Sequence, residues 1–207
     1  MAEKDQRVGR LTSQPHYRRA FVIGGLATLA GVLPRKSNAL GNVVTPAHTD
    51  PTLWLQPRAV AVRNMDTGQR GDFVYWRDGE FVMAEYYALC ALGLDHREHK
   101  AIQIDPRVFD LMFATQAWYF GATGKRTHHE MTSLYRTPKT NRIVGGAPGG
   151  GHPRGLAGDG RLNGVSVSVY AAMLRRFQAG GVGLYANHVH WDVGRKPAFW
   201  RGGSIER

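Results

Sequence analysis

The amino-acid sequence predicts an α+β fold in which a small, mainly antiparallel sheet is flanked by helices in a single domain. Short β-rich runs bounded by turn residues occur in both halves of the chain, and segments with helical apolar spacing separate them. Their order, strands and helices first and then strand, strand, helix and strand, is typical of an α+β domain. The 207 residues, of which 43% are hydrophobic, suit one domain with a real core.

The first half of the chain predicts a hairpin or small meander followed by two helices. Residues 59–82 contain two β-rich runs and a tight turn at the sequence RDGE. Residues 83–100 show helical spacing of apolar residues and end in a charged turn. Residues 105–124 predict a second helix, with Asp105 as the N-cap and Pro106 at the first helical position.

The second half supplies the remaining strands and one more helix. Residues 127–142 are predicted to form a strand that leads into a loop, and residues 145–162 a glycine-rich loop that leads into a strand. Residues 166–181 predict an amphipathic helix that two glycines close. Residues 182–194 predict the last strand or pair of strands.

The N-terminal residues 1–39 have the pattern of an export signal. The adjacent pair Arg18 and Arg19 precedes thirteen mildly apolar residues, 21–33, which are too few to span a bilayer comfortably. Small residues at 37–39 then offer a cleavage site. This arrangement resembles a Tat signal, which carries folded proteins across the inner membrane, although a chance basic helix or an uncleaved anchor has the same composition.

The boundaries that follow are 1–39 for the Tat-like signal, 40–57 for a linker or entry arm, and 58–207 for the folded domain. We expect the mature chain to begin near Leu40, to work outside the cytoplasm in the periplasm, and to meet the membrane only during export.

Charge and cysteine content narrow the function classes. The net charge is +11, but residues 1–39 hold seven basic and two acidic residues and so account for +5 of it. The remainder contains no run of five Lys or Arg, so we expect a solvated surface or an anionic envelope polymer, and no direct nucleic-acid binding. Cys90 is the only cysteine, which excludes an intrachain disulfide and any Cys–Cys zinc site; its apolar neighbours predict a buried side chain.

Two segments carry metal-ligand residue types. His152 and Asp159 lie in the glycine-rich stretch GGGHPRGLAGDG, whose glycines argue against a helix. In the later segment HVHWD, His188, His190 and Asp192 would point to one face of a strand. Two imidazoles and a carboxylate form a catalytic zinc pattern, and non-haem iron uses similar ligands.

The sequence HPRGLAGD fits the H-x-x-G-x-A-x-D signature of LAS-type zinc peptidases, the group that includes D-Ala-D-Ala peptidases. More closely, the chain resembles the periplasmic murein endopeptidase K family from about Arg58 to Trp200. The blocks that carry the likeness, in the family's order, are IDPRVFDLMFATQ, LYRTPKTN, HPRGLAGD, AGGVGLY and VHWDVG.

This resemblance implies a LAS-type domain and a zinc-dependent murein endopeptidase that acts on the peptide cross-links of peptidoglycan. His152, Asp159 and His190 match the Zn²⁺ ligands, and Arg136 matches the arginine placed near the scissile carbonyl to stabilise the oxyanion. His188 is the first candidate for the general base. Asp192 competes with it, either as the base or as an acceptor that fixes an imidazole tautomer.

The chain departs from the family pattern at residues 149–151, where three glycines stand in place of a serine shortly before the first histidine. The departure leaves open an alternative function, a non-catalytic peptidoglycan-binding or envelope-assembly protein that retains the fold. Among the other histidines, His96 and His99 are expected to be solvated in a charged turn. Only one of His128 and His129, which alternate along a strand, could face a cleft.

Overall fold

The computed structural model describes residues 51–202. The predicted export signal, 1–39, and most of the predicted linker, 40–57, therefore lie outside the described residues. The described part begins with a short 3₁₀ turn at Pro51–Leu55. Within residues 51–202, no helix combines the length and apolar character needed to cross a membrane.

One eight-stranded mixed sheet organises the fold, and its spatial order is β3-β2-β1-β4-β5-β7-β6-β8. Five neighbouring pairs are antiparallel, whereas β1 with β4 and β6 with β8 are parallel. The strands are β1 (Arg58–Asn64), β2 (Arg70–Arg77), β3 (Glu80–Phe81), β4 (His129–Ser133), β5 (Ala157–Leu162), β6 (Gly181–Leu184), β7 (Val189–Asp192) and β8 (Ala198–Arg201).

Within the described range, four helices accompany the sheet: α1 (Met83–Leu92), α2 (Pro106–Thr123), α3 (Pro138–Ile143) and α4 (Val167–Arg176). The predicted start of α2 is confirmed, because Pro106 occupies its first turn and the Asp105 side chain accepts a hydrogen bond from the Arg107 N–H. Gly124, with a φ of 68°, closes the same helix in the left-handed conformation.

The prediction of an α+β domain with a mainly antiparallel sheet is confirmed, and two elements were not predicted. Helix α3 lies where the sequence predicted a loop. Thr137 caps it by accepting from the Thr140 N–H, and Pro138 takes the first position. Strand β8 follows the last predicted strand and pairs in parallel with β6. Six-residue and four-residue elements are too short to show a hydrophobic period.

Helices α2 and α4 pack on one face of the sheet, and the core lies beneath them. The Trp191 ring of β7 points into this layer, where it lies 6.3 Å from the ring of His129 and 6.0 Å from that of Tyr170. Alternation along β7 therefore turns His190 to the opposite face of the sheet. The fold leaves that face of β5 and β7 free of these helices and available for a site.

Candidate metal centre and its cleft

Three side chains with metal-ligand chemistry meet on the face of the sheet away from α2 and α4. Asp159 of β5 and His190 of β7 are directly opposite one another in the antiparallel register, so their side chains project on the same side. His152 enters from a 3₁₀ turn, His152–Arg154, that precedes β5. One ligand atom from each residue lies within 4.8 Å of the other two.

The triangle formed by these atoms has the size of one face of a zinc tetrahedron. Asp159 Oδ1 lies 2.8 Å from His190 Nδ1 and 3.2 Å from His152 Nε2, and the two nitrogens are 3.3 Å apart. Tetrahedral ligands about 2.05 Å from Zn²⁺ would be separated by roughly 3.3 Å. The three residues therefore fit a zinc ion with little rearrangement.

Each imidazole is held by a hydrogen bond at the nitrogen that points away from the triangle. His152 Nδ1 donates to the Leu134 carbonyl oxygen at 2.7 Å, and His190 Nε2 lies 3.3 Å from Asp192 Oδ2, to which it donates. Such partners fix the ring orientation and the tautomer, and they leave the other nitrogen available to a metal. His152 thus offers Nε2, and His190 offers Nδ1.

Without a metal, the three groups stabilise one another by charge. Burial alone would raise the pKa of Asp159, but the neighbouring His152, His190 and Arg136 hold that pKa well below its usual value. Burial opposes protonation of His190, yet its bonds to Asp159 and Asp192 raise the pKa of its imidazole to about 9. The buried carboxylate is therefore ionised, as a metal ligand has to be.

The glycines around the ligands allow the backbone to approach its neighbours closely. A Cβ at Gly158, the residue before Asp159, would lie 2.4 Å from Cζ2 of Trp191. A Cβ at Gly151, the residue before His152, would lie 2.7 Å from the Cβ of Ala157. The segment is rich in glycine because close contact with β7 and with its own strand is needed to bring the ligands together. A serine at 151 would not fit without a shift.

Arg136 and His188 stand beside the triad at a cavity of about 330 Å³ that Asp159 also lines. A terminal guanidinium nitrogen of Arg136 donates to Asp159 Oδ2. The His188 ring stacks on Tyr185, with ring centroids 4.6 Å apart and an interplanar angle of 4°. Burial lowers the pKa of His188, so its imidazole is available to accept a proton at neutral pH.

Asp192 has a different environment. Its carboxylate accepts from the Gly181 N–H at 2.8 Å and from Arg195 Nε at 3.0 Å, in addition to His190. It is buried and is not among the residues that line the cavity. Of the two roles predicted for Asp192, these contacts favour the acceptor that fixes an imidazole tautomer over the general base.

Several contributors to the site escaped prediction. The Leu134 carbonyl that holds His152 is a backbone group, so no side-chain pattern could reveal it. His96, expected to be solvated, lines the same cavity as Arg136. Of the adjacent pair His128 and His129, His129 is fully buried and its Nε2 donates to the Met112 carbonyl, so it does not reach the cleft.

Comparisons with known proteins give the relatives of this chain. Residues 53–199 match the model of the family described as Peptidoglycan L,D-endopeptidase MepK. The chain is 29% identical over 184 residues to the peptidoglycan L,D-endopeptidase MepK of Escherichia coli strain K12, which covers 86% of this chain and 93% of that protein. It is 27% identical over 198 residues to the "Probable peptidoglycan L,D-endopeptidase MepK" of Haemophilus influenzae, and this match covers 89% of this chain and 95% of that protein.

Proposed function

Because the chain belongs to the peptidoglycan L,D-endopeptidase MepK family, we propose that it is a zinc-dependent murein endopeptidase that hydrolyses peptide cross-links of peptidoglycan in the cell envelope. The triangle of ligand atoms from His152, Asp159 and His190 carries this proposal, because its edges of 2.8–3.3 Å match those of a tetrahedral zinc site. The cavity beside the triangle gives a peptide access to it.

His152 Nε2, Asp159 Oδ1 and His190 Nδ1 would hold the ion. When bound, Zn²⁺ polarises a carbonyl group and lowers the pKa of a water molecule, which supplies a nucleophile at neutral pH. Two imidazoles and one carboxylate leave a fourth position open, as hydrolytic zinc sites require. The bonds that Leu134 and Asp192 make to the imidazoles keep both rings oriented for this purpose.

Arg136 is proposed to stabilise the negative charge that develops on the carbonyl oxygen of the scissile bond. Its guanidinium group already lies within hydrogen-bond reach of the ligand Asp159, at the edge of the cavity. A metal ion would take up part of the charge of Asp159, which would free Arg136 N–H groups for the substrate.

His188 is proposed as the general base that removes a proton from the attacking water and passes it to the leaving amine. Its ring is positioned by the stack on Tyr185 and by a 2.8 Å contact between Nδ1 and Asn187 Oδ1. Its lowered pKa suits a base that is neutral before the reaction. Asp192 is proposed to position His190.

The proposed reaction places the protein where peptidoglycan is found, in the periplasm. The twin arginine, Arg18 and Arg19, followed by the weakly apolar segment 21–33 supports export through a Tat-like signal. The mature protein would then reach the envelope folded. Its proposed substrates there are the stem peptides of the wall, and no nucleic-acid partner is expected.

Digestion of purified cross-linked sacculi, with released muropeptides identified by mass, tests the proposal. We expect cross-linked dimers to disappear, the loss to stop with a chelator, and activity to return with added Zn²⁺. His152→Ala and Asp159→Ala should abolish cleavage while the fold, followed by circular dichroism, is kept. Intact dimers after treatment with zinc-loaded protein would contradict the proposal, and binding to sacculi without cleavage would favour the non-catalytic alternative.

A further inference from the structure

The cavity beside the proposed metal site continues to a second wall that the reaction does not use. It is lined by Arg136, Asp159 and His188, and also by Asp66, from the turn between β1 and β2, and by the loop at residues 93–97 that follows α1. Arg97 is the exposed cation of this loop. A substrate that reaches the metal triad can therefore also touch this wall.

Two buried polar side chains hold the wall in place. Asn64 donates through Nδ2 to the Leu92 carbonyl at 2.8 Å, and its Oδ1 accepts from the backbone N–H of Asp66 at 2.9 Å and of Thr67 at 3.1 Å. Its side chain thus joins the end of α1 to the turn that carries Asp66. A buried polar residue with every contact made to backbone fixes the position of both segments.

Asp95 does the same for the loop that carries Arg97. Its Oδ1 accepts from the Arg97 N–H at 3.1 Å, and its Oδ2 accepts from the Thr137 N–H at 2.8 Å. Thr137 is the residue that follows Arg136. The backbone of Arg97 is therefore linked through one buried carboxylate to the segment that carries the proposed oxyanion-stabilising arginine.

Within residues 51–202, each of the three carboxylates that line the cavity has a polar partner. Asp159 is paired with the two imidazoles and with Arg136, Asp95 accepts from backbone N–H groups, and Asp66 pairs with His96 at 3.3 Å. Within residues 51–202, the Arg97 side chain takes part in no hydrogen bond, ion pair or ring contact, although its backbone is fixed. Arg97 therefore presents a guanidinium group that pairs with no carboxylate of the described residues, which suits an anionic group of the ligand.

We propose that Arg97 is a specificity-determining residue that binds a free carboxylate of the substrate peptide, away from the bond that is cut. This proposal rests on the proposed endopeptidase function. The guanidinium fork matches a carboxylate in two parallel hydrogen bonds, and its place in the loop at residues 93–97, outside the proposed catalytic set, makes the contact additional to those at the scissile carbonyl. Cross-linked peptides that bear this carboxylate would therefore be preferred over those in which it is amidated.

The test uses two synthetic cross-linked stem peptides that differ only in whether their carboxylates are free or amidated. With the zinc-loaded protein, Arg97→Ala should raise KM for the free acid about tenfold and leave kcat within about twofold. It should change neither constant for the amide. Arg97→Lys should lie between, because it keeps the charge and loses the fork. Arg77→Ala, which removes an exposed arginine from β2 outside the cleft, is the charge-matched control and should match the wild type.

The inference would be overturned if Arg97→Ala and the wild type had equal KM values for the free acid. It would also be overturned if Arg97→Ala raised KM equally for the free acid and the amide. Direct binding of the two fluorescently labelled peptides to the protein, with its metal removed by a chelator, separates recognition of the carboxylate from the reaction. No cleavage together with binding that depends on the carboxylate and on Arg97 would refute only the endopeptidase function. Cleavage without discrimination between acid and amide would refute only the role of Arg97.

Discussion

Replacing Asp192 by Asn would separate the positioning of a ligand from acid–base catalysis. The carboxylate is buried between the His190 Nε2, the Gly181 N–H and Arg195. An amide of the same shape keeps an oxygen for the Gly181 N–H, but it brings an NH₂ group to within about 3 Å of His190 Nε2. The imidazole would then accept at Nε2 and carry its proton on Nδ1, the nitrogen that faces the other two ligands.

The expected cost follows from this change of tautomer. Loss of the partner that orients a ligating histidine typically lowers metal affinity about 10–100-fold. That range corresponds to roughly 1.4–2.7 kcal/mol of binding free energy. Arg195→Ala removes another partner of Asp192 but keeps the contact with His190. Since the Arg195 side chain is 49% exposed, we expect the zinc affinity of that variant to fall by less than about threefold.

Zinc affinity would be measured by competition with a chromophoric chelator at constant pH, and turnover would be measured on cross-linked muropeptides at saturating zinc. Unchanged zinc affinity in Asp192→Asn would refute the positioning argument. If turnover fell by orders of magnitude at the same time, Asp192 would be the general base, and the assignment of that role to His188 would be wrong.

Three further changes test other parts of the structure. His188→Gln should lower kcat by about 10²–10⁴-fold in the muropeptide assay while zinc affinity stays within a few fold. Burial lowers the pKa of His129 from 6.5 to about 4, so below pH 6.5 the unfolded chain takes up a proton first. The free energy of unfolding should therefore fall by about 3 kcal/mol as the pH drops from 6.5 to 4. Urea unfolding across this range should show a steeper slope in the wild type than in His129→Asn. Gly158→Ala should destabilise the fold by about 1–3 kcal/mol in thermal unfolding, because the new methyl group meets the buried Trp191 ring. Gly121→Ala, with open space at its helical position, should leave stability unchanged or raise it.

Each of these expectations has an opposite outcome. Normal turnover in the His188 variant would leave proton transfer to another group. An acid-induced loss of stability that is the same in the His129 variant would place the titration elsewhere. A stable Gly158 variant would mean that the Trp191 ring can move aside, and close approach would then not explain the glycine.

The sequence predicts the elements whose signals are local. Helix α2 spans eighteen residues with an Asp105 cap and Pro106, and its start is where the pattern predicts it. The parallel pairing of β1 with β4 was not predictable, because Val62 and His129 are brought together only by the helices that fold between them. Pattern reasoning sees spacing along the chain and cannot see which distant strands become neighbours.

In the site, too, some residues can be predicted from local patterns and others depend on the fold. His152, Asp159 and His190 could be selected by residue type and by the strand alternation of β7, and the structure brings them together. The roles of their neighbours depend on packing. Whether Asp192 faces the cleft or an imidazole edge is decided by Arg195 and by the β6 backbone, and no spacing rule contains that information.

The position of β7 in the sheet has a consequence for the protein as it is being made. This strand carries His190, lies seventh in sequence, and is inserted between β5 and β6 in space. Asp159 and His190 are 31 residues apart, so the ligand set stays incomplete until the chain has been synthesised past residue 190 and the strand has taken its place. Unfinished or truncated chains that stop before residue 190 hold only two of the three ligands. Metal capture at this centre therefore reports that β7 has paired with β5.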